Sequence, residues 1–317
     1  MKYYLAPMEG ITGYIFRRVY DRCFPKMDKY FTPFLSPNQT GRLSPKEQKD
    51  VDPANNKGIR LIPQILTNSS EDFIRTAKTL KAMGYCEVNL NLGCPSGTVV
   101  SKKRGAGFLA YPSEVDGCLY DIFSRLDMKI SVKTRLGKEA PEEFEELLSI
   151  YNRYPLEELI VHPRIQKDYY RNRPRMEFFK TASKASLNPL CYNGDLFKKE
   201  DAEALEQEFP GLPAMMMGRG ILANPGLLCP VQEKERVKEF HDCLYDAYCR
   251  EYLIEAGQKV VLFKMKEIWC YLMNTFENGK KYGKKIKKSQ SLTDYETAVA
   301  ALFRECQLIP GGYEGTP

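Results

Sequence analysis

The sequence predicts an α/β fold: a (β/α)8 TIM barrel over residues 1–232, followed by a small helical domain over 233–317. Three observations predict it. Eight short apolar runs of strand length recur along the first part of the chain, segments of helical spacing separate most of them, and strand-like runs cease near Gln232. The 317 residues also suit a barrel of roughly 250 residues with an appendage.

The runs are Tyr3–Met8, Lys29–Leu35, Ile59–Leu66, Glu87–Leu92, Lys129–Thr134, Glu158–His162, Pro189–Asn193 and Ala214–Met217. Helix starts are marked between them, for example by Ser69-Ser70-Glu71-Asp72 ahead of Phe73-Ile74 and by Pro112-Ser113-Glu114 ahead of Val115. Residues 36 to 58 are polar and rich in Pro, Asn and Lys, and are expected to form a loop over the barrel mouth. In the helical domain, Glu233–Ala256 and Gln258–Thr275 carry helical spacing, with Val260, Phe263, Ile268, Tyr271 and Leu272 as the expected buried face. The tail Gly311–Pro317 is expected to fray.

Composition narrows the class. With 43% hydrophobic and 28% charged residues the chain can bury a sizeable core and remain soluble. No run approaches the roughly 18 apolar residues of a spanning helix, and the amino terminus lacks a secretory apolar stretch, so a cytoplasmic protein without membrane contact is expected. The ten cysteines include no Cys-x-x-Cys pair, which points to neither a metal site nor a disulfide framework. Nothing marks an obligate protein partner, and a monomer is expected. The net charge of +6 says little by itself, but Lys280, Lys281, Lys284, Lys285, Lys287 and Lys288 concentrate positive charge in one short segment.

Residues capable of chemistry fall at the ends of the predicted strands: Pro7-Met8-Glu9, Gln64, Asn91 to Pro95, Lys133-Thr134-Arg135, His162-Pro163-Arg164, Asn193-Gly194-Asp195 and Gly218-Arg219-Gly220. A barrel gathers those ends on one face, whereas an open doubly wound sheet, the alternative, collects ligand groups at a single switch point. Gly218-Arg219-Gly220 exposes backbone N–H groups at a helix start, a place for a phosphate, or is an ordinary tight turn. Asp195 reads as a helix cap or as part of the same site. Lys133 and Arg135 share one strand face and need an anion, an electron-rich ring or ion-pair partners. Gln64 and Asn91 offer amides suited to a heterocycle, or to backbone carbonyls. His162, at a strand end, is a better site candidate than His241, a satisfied core histidine being the alternative. Cys94, fixed between Gly93 and Pro95, carries a thiol of ordinary pKa near 8.5 that can protonate a forming carbanion, unless it is a small apolar filler.

Taken together, Ala6-Pro7-Met8-Glu9-Gly10-Ile11-Thr12, Asn89-Leu90-Asn91-Leu92-Gly93-Cys94-Pro95, Lys133-Thr134-Arg135, Val161-His162-Pro163-Arg164, Asn193-Gly194-Asp195 and Met217-Gly218-Arg219-Gly220 resemble the tRNA-dihydrouridine synthases, in order through the whole barrel. The resemblance implies an FMN cofactor, NADPH as reductant and tRNA as substrate. It places the flavin against Pro7, Met8, Gln64, Lys133 and His162, and its phosphate against Asn193, Asp195, Gly218 and Arg219. It places Asn91 and Arg135 near the target uridine and makes Cys94 the proton donor. A uracil inside folded RNA reaches such a pocket only by leaving its stack. The lysines of 280–288, with Lys264, Lys266, Lys102, Lys103 and Arg104, then become candidate phosphate contacts, with Tyr282 as a stacking ring. Where many family members carry a lysine three residues after the cysteine, Gly97 stands here. Rival expectations are the same chemistry on ribosomal RNA, a flavin barrel acting on a small molecule, and an RNA-binding protein that has lost catalysis.

Overall fold

The computed structural model describes residues 1–37 and 42–310. Its strands are β1 (Lys2–Leu5), β2 (Lys29–Phe31), β3 (Leu61–Ile62), β4 (Gln64–Ile65), β5 (Glu87–Leu92), β6 (Lys129–Gly137), β7 (Leu159–Ile165), β8 (Leu190–Asn193) and β9 (Ala214–Met217). All pair in parallel, in the order β3-β2-β1-β9-β8-β7-β6-β5-β4. The two ends of that order are neighbours in the chain, so the ladder returns to itself. What the sequence presents as the single run Ile59–Leu66 is split because Pro63 has no N–H to give. Its carbonyl still accepts from the Asn89 N–H at 2.9 Å, which carries the pairing across the break.

Strand periodicity decides what faces inward. Tyr4, Ala6, Phe31, Ile62, Ile160, Cys191, Ala214 and Met216 form the inner cluster. By alternation Ile160 shares its face with His162 and Arg164, and Cys191 shares its face with Asn193. At the strand starts a charged floor takes over: Lys29 Nζ lies 2.8 Å from Glu87 and 3.2 Å from Glu158, and Tyr4 donates its hydroxyl hydrogen to Glu158. Burial pushes the Glu87 carboxyl above its usual range, against the pull of Lys29.

The helices are α1 (Tyr14–Cys23), α2 (Pro45–Val51), α3 (Ser70–Ala82), α4 (Gly97–Val100), α5 (Pro112–Arg125), α6 (Glu143–Tyr151), α7 (Met176–Ala185), α8 (Lys199–Glu208), α9 (Arg219–Ala223), α10 (Lys234–Tyr252), α11 (Gln258–Leu272), α12 (Gly279–Lys288) and α13 (Leu292–Glu305). The chain divides into two compact units: Met1–Pro7, Asp28–Gly194 and Glu206–Met216 form one, and Met8–Met27, Asp195–Leu205 and Met217 onward form the other. In the first unit, α3, α5, α6 and α7 pack side by side in chain order between the strands. In the second, Phe16, Tyr20 and Phe24 of the α1 region meet Phe240 of α10 edge-on. Trp269 Nε1–H donates to the Tyr295 hydroxyl at 2.8 Å; His241 Nδ1 lies 2.8 Å from the Asp242 carboxylate, which can only accept, so the proton belongs on Nδ1 and Nε2 accepts from the Tyr295 hydroxyl at 2.7 Å. With both ring nitrogens bonded and the ring buried, His241 is a satisfied core residue, and burial lowers its pKa.

Two expectations change, and a third is untested. The segment from 36 to 58 is not all loop: Ser44 and Glu47 form a capping box with Pro45 at the first helical position, and α2 follows. Its end returns toward the strand starts, where Tyr85 donates to the Val51 carbonyl at 2.5 Å. In α11 the buried side is Val261, Leu262, Met265, Ile268, Trp269 and Leu272, while Phe263 is 58% exposed. The tail 311–317 lies outside the described residues.

Candidate active site

The first unit assembles a polar layer from strand register alone. Pairing sets Gln64 opposite Asn89, Asn89 opposite Ser131, Asn91 opposite Lys133, and Arg135 opposite His162. The buried amides bond in series: Asn91 Nδ2 donates to Gln64 Oε1 at 2.7 Å, Gln64 Nε2 to Asn89 Oδ1 at 2.8 Å, and Asn89 Nδ2 to Ser131 Oγ at 2.9 Å. Asn91 Oδ1 accepts the N–H groups of Gly93 and Cys94 at 3.0 and 2.9 Å. The half-buried Cys94 therefore sits in a turn whose backbone is fixed by the last amide of the chain. From the far side Ala106 N–H donates to the Cys94 carbonyl at 3.0 Å. Gly105 has a φ of +55°, and a Cβ there would lie 2.9 Å from that of Cys94, so only glycine lets this loop close on the turn.

Arg135 is fully enclosed and serves backbone carbonyls: Nε to Gly93 at 2.9 Å, and its two terminal nitrogens to Ile165 and Tyr169 at 2.8 Å each. Burial pulls its pKa down to about 10. Tyr169 holds its carbonyl in place at a φ of +50°, a costly conformation for a residue with a side chain. Gln166 Nε2 donates to the Pro95 carbonyl at 3.0 Å. Between the Cys94 turn and the loop after β7, Arg135 and Gln166 thus act as two clasps.

His162 Nε2 lies 3.0 Å from a terminal nitrogen of Arg164. Guanidinium can only donate, so Nε2 accepts and the imidazole proton belongs on Nδ1. Asp168 accepts from Ile165 N–H and Asn172 and pairs with Arg175; burial opposes its charge, but these partners prevail and hold the carboxyl below its usual range. Lys133 is the exception. It is half-buried, and its ammonium has no carboxylate or hydrogen-bond partner among the described residues. Burial first, then Arg135, drives its pKa down to about 8. Asn193 Nδ2 donates to the Met216 carbonyl at 2.9 Å, and Pro7 is half-buried at the end of the β1 segment.

In the second unit, Met8 opens a turn in which its N–H donates to Thr12 Oγ1 at 2.8 Å and Gly10 adopts a φ of +80°. Gly218 precedes α9, and Arg219 pairs with Asp195. A Cβ on Gly220 would lie 1.7 Å from the Leu196 carbonyl oxygen, so the segment after Asp195 and the start of α9 touch through backbone. Lys264 Nζ donates to the Gly10 carbonyl at 2.8 Å and Lys266 Nζ to that of Ser289. The lysine-rich segment is the helix α12. Its six lysines are exposed, whereas Tyr282 is buried and donates to Glu305. Tyr282 is therefore no stacking ring. Gly97 stands exposed, with nothing within 4 Å of where a Cβ would be.

A family model for dihydrouridine synthase matches residues 4–309. The chain belongs to the dihydrouridine synthase family. Among curated relatives of the family, it is 28% identical over 233 residues to a probable tRNA-dihydrouridine synthase 1 of Synechocystis sp., covering 72% of this chain and 63% of that protein. To a tRNA-dihydrouridine(16) synthase of Vibrio vulnificus it is 26% identical over 253 residues, 76% of this chain and 78% of the other. Among solved structures, a morphinone reductase mutant in complex with tetrahydroNAD superposes with a TM-score of 0.50 at 13% identity, over 72% of this chain and 85% of that one, a likeness of fold.

Asn89, Gln166, Asp168 and Arg175 were not singled out by sequence reasoning. Asn89 alone left a signal, since Asn89-Leu90-Asn91 puts two amides on one strand face.

Proposed function

We propose that this chain is a flavin-dependent oxidoreductase that uses FMN and NADPH to reduce the C5–C6 double bond of uridine in tRNA. The observation that carries the reading is the placement of Lys133 beside the Cys94 turn: a half-buried cation without a hydrogen-bond or carboxylate partner among the described residues shares its strand face with Asn91, which holds the backbone of the Cys94 turn. An unpartnered ammonium in a barrel interior is costly, and an electron-rich ring or an anion offsets that cost. The donor set therefore fits a flavin.

Pro7, Met8, Gln64, Lys133 and His162 would hold the flavin, and Asn193, Asp195, Gly218 and Arg219 its phosphate. When bound, the flavin supplies a hydride for uracil C6. Cys94 supplies the other hydrogen, giving its thiol proton to C5, so that two hydrogens are added in all. Asn91 and the Arg135 and Gln166 clasps orient that thiol. Residues 1–232 form the catalytic domain in this reading, and 233–317 the RNA-binding one. The exposed lysines of α12 contact RNA phosphates, joined by Lys264 and Lys266 through the ammonium hydrogens not given to the Gly10 and Ser289 carbonyls. The protein works as a cytoplasmic monomer.

The test separates two half-reactions without oxygen. NADPH should bleach the yellow protein, and an unmodified tRNA transcript should restore the colour while gaining dihydrouridine. Equal reoxidation by free uracil or a simple enoate would favour a small-molecule reductase. Faster reoxidation by a ribosomal RNA transcript would move the substrate, not the chemistry.

A further inference from the structure

We propose that Cys23, Glu239 and Cys243 form a binding site for one soft divalent cation of the zinc class. The three ligand atoms lie within 4.8 Å of one another, and all three residues belong to the second unit. Glu239 and Cys243 are one turn apart on α10 and so share a face, as paired ligands on a helix do. Cys23 is the last residue of α1, where the helix dipole favours positive charge.

The scaffold is packed before any ion arrives. Phe240, next to Glu239, receives Phe16, Tyr20 and Phe24, so the two helices that carry the ligands are already packed together. Of the three, Cys243 also lines a cavity of about 630 Å³ with Arg18, Arg22, Asp246 and Arg250, so solvent reaches the cluster at that ligand. Two thiolates and a carboxylate make a three-ligand set that water completes to a tetrahedron, and the sulfurs select zinc-class ions over magnesium or calcium.

Without a cation the Cys23 thiol resists ionising. Burial, with Cys243 and Glu239 adding to it, pushes the Cys23 thiol up to about 12. Metal binding would release both thiol protons to solvent and tie α1 to α10. The spacing in sequence hides the site, because one ligand comes from the first helix and two from the tenth.

The full-length yellow protein, kept under a phosphine reductant and stripped with a chelator, is dialysed against Zn²⁺. One zinc per chain should remain, with X-ray absorption at the zinc edge showing two sulfur neighbours at about 2.3 Å. Zinc should raise the thermal midpoint. Glu239→Gln should weaken binding about tenfold and Cys243→Ser more, both retaining wild-type circular dichroism, while Cys270→Ser, at an exposed cysteine elsewhere, binds as wild type. Zinc lost on dialysis, absence of zinc–sulfur scattering, unchanged affinity in Cys243→Ser or Glu239→Gln, or a Cys23–Cys243 disulfide in the reduced preparation would overturn the site.

Discussion

Lys133 shows how a single side chain can oppose the fold that carries it. Because burial lowers its pKa to about 8, the native flavin-free protein sheds a proton that the unfolded chain keeps until about 10.5. Between those values the unfolded state binds more protons, so stability rises with pH, by up to about 1.4 kcal/mol per unit. Urea midpoints of flavin-free wild type and Lys133→Met, taken at pH 7 and pH 10, should show this rise only in wild type. At pH 7 the variant should be the more stable by about 1–2 kcal/mol, yet come off the column colourless. Cys94→Ala should do the reverse: it keeps its colour and its bleaching by NADPH, but reoxidises with tRNA at least about 10²-fold more slowly in single-turnover mixing. Cys94 was legible in the sequence because Gly93 and Pro95 announce a turn at a strand end. The Arg135 clasp was not, since its acceptors are carbonyls of Gly93, Ile165 and Tyr169, and carbonyl directions leave no mark in residue identity.

Among the elements, the paired strands β4, β5 and β6 carry the amide series, which behaves as one unit. Gln64→Leu leaves the Asn91 donor and the Asn89 acceptor unmatched in a buried layer, and should cost about 2 kcal/mol or more in urea unfolding. A wild-type midpoint would mean that water replaces the amide. The helix α12 offers a second case. Gly279, Tyr282, Gly283 and Ile286 recur at helical spacing and are buried, which leaves the six lysines on the exposed side. In the sequence the charge cluster dominates that segment, and it masks the apolar stripe that makes Tyr282 part of the core. Replacing Lys280, Lys284 and Lys287 by Gln should weaken tRNA binding, and should flatten the logarithmic salt slope by about 0.7–0.9 for each phosphate that is no longer neutralised. An unchanged slope would make α12 a solvated face.

For the molecule as a whole, the barrel was written in the order of its strands, and Glu87–Leu92 and Ala214–Met217 even have the bounds read from sequence. The break at Pro63 was readable in principle, from a proline inside a strand run. The grouping of α1 with the C-terminal helices was not, because it depends on three aromatic residues of α1 and its end finding Phe240 more than two hundred residues away. The proposed function hangs on the same kind of distant convergence, with Gln64, Asn91, Lys133 and His162 brought to one face by register. The most direct measurement is mass spectrometry of tRNA from cells that carry the gene, lack it, or carry it with Cys94→Ala. One or more uridines should lose the mass of two added hydrogens when the gene is absent; wild type should restore it, and the variant should not. Identical uridine masses in all three would contradict the proposed function.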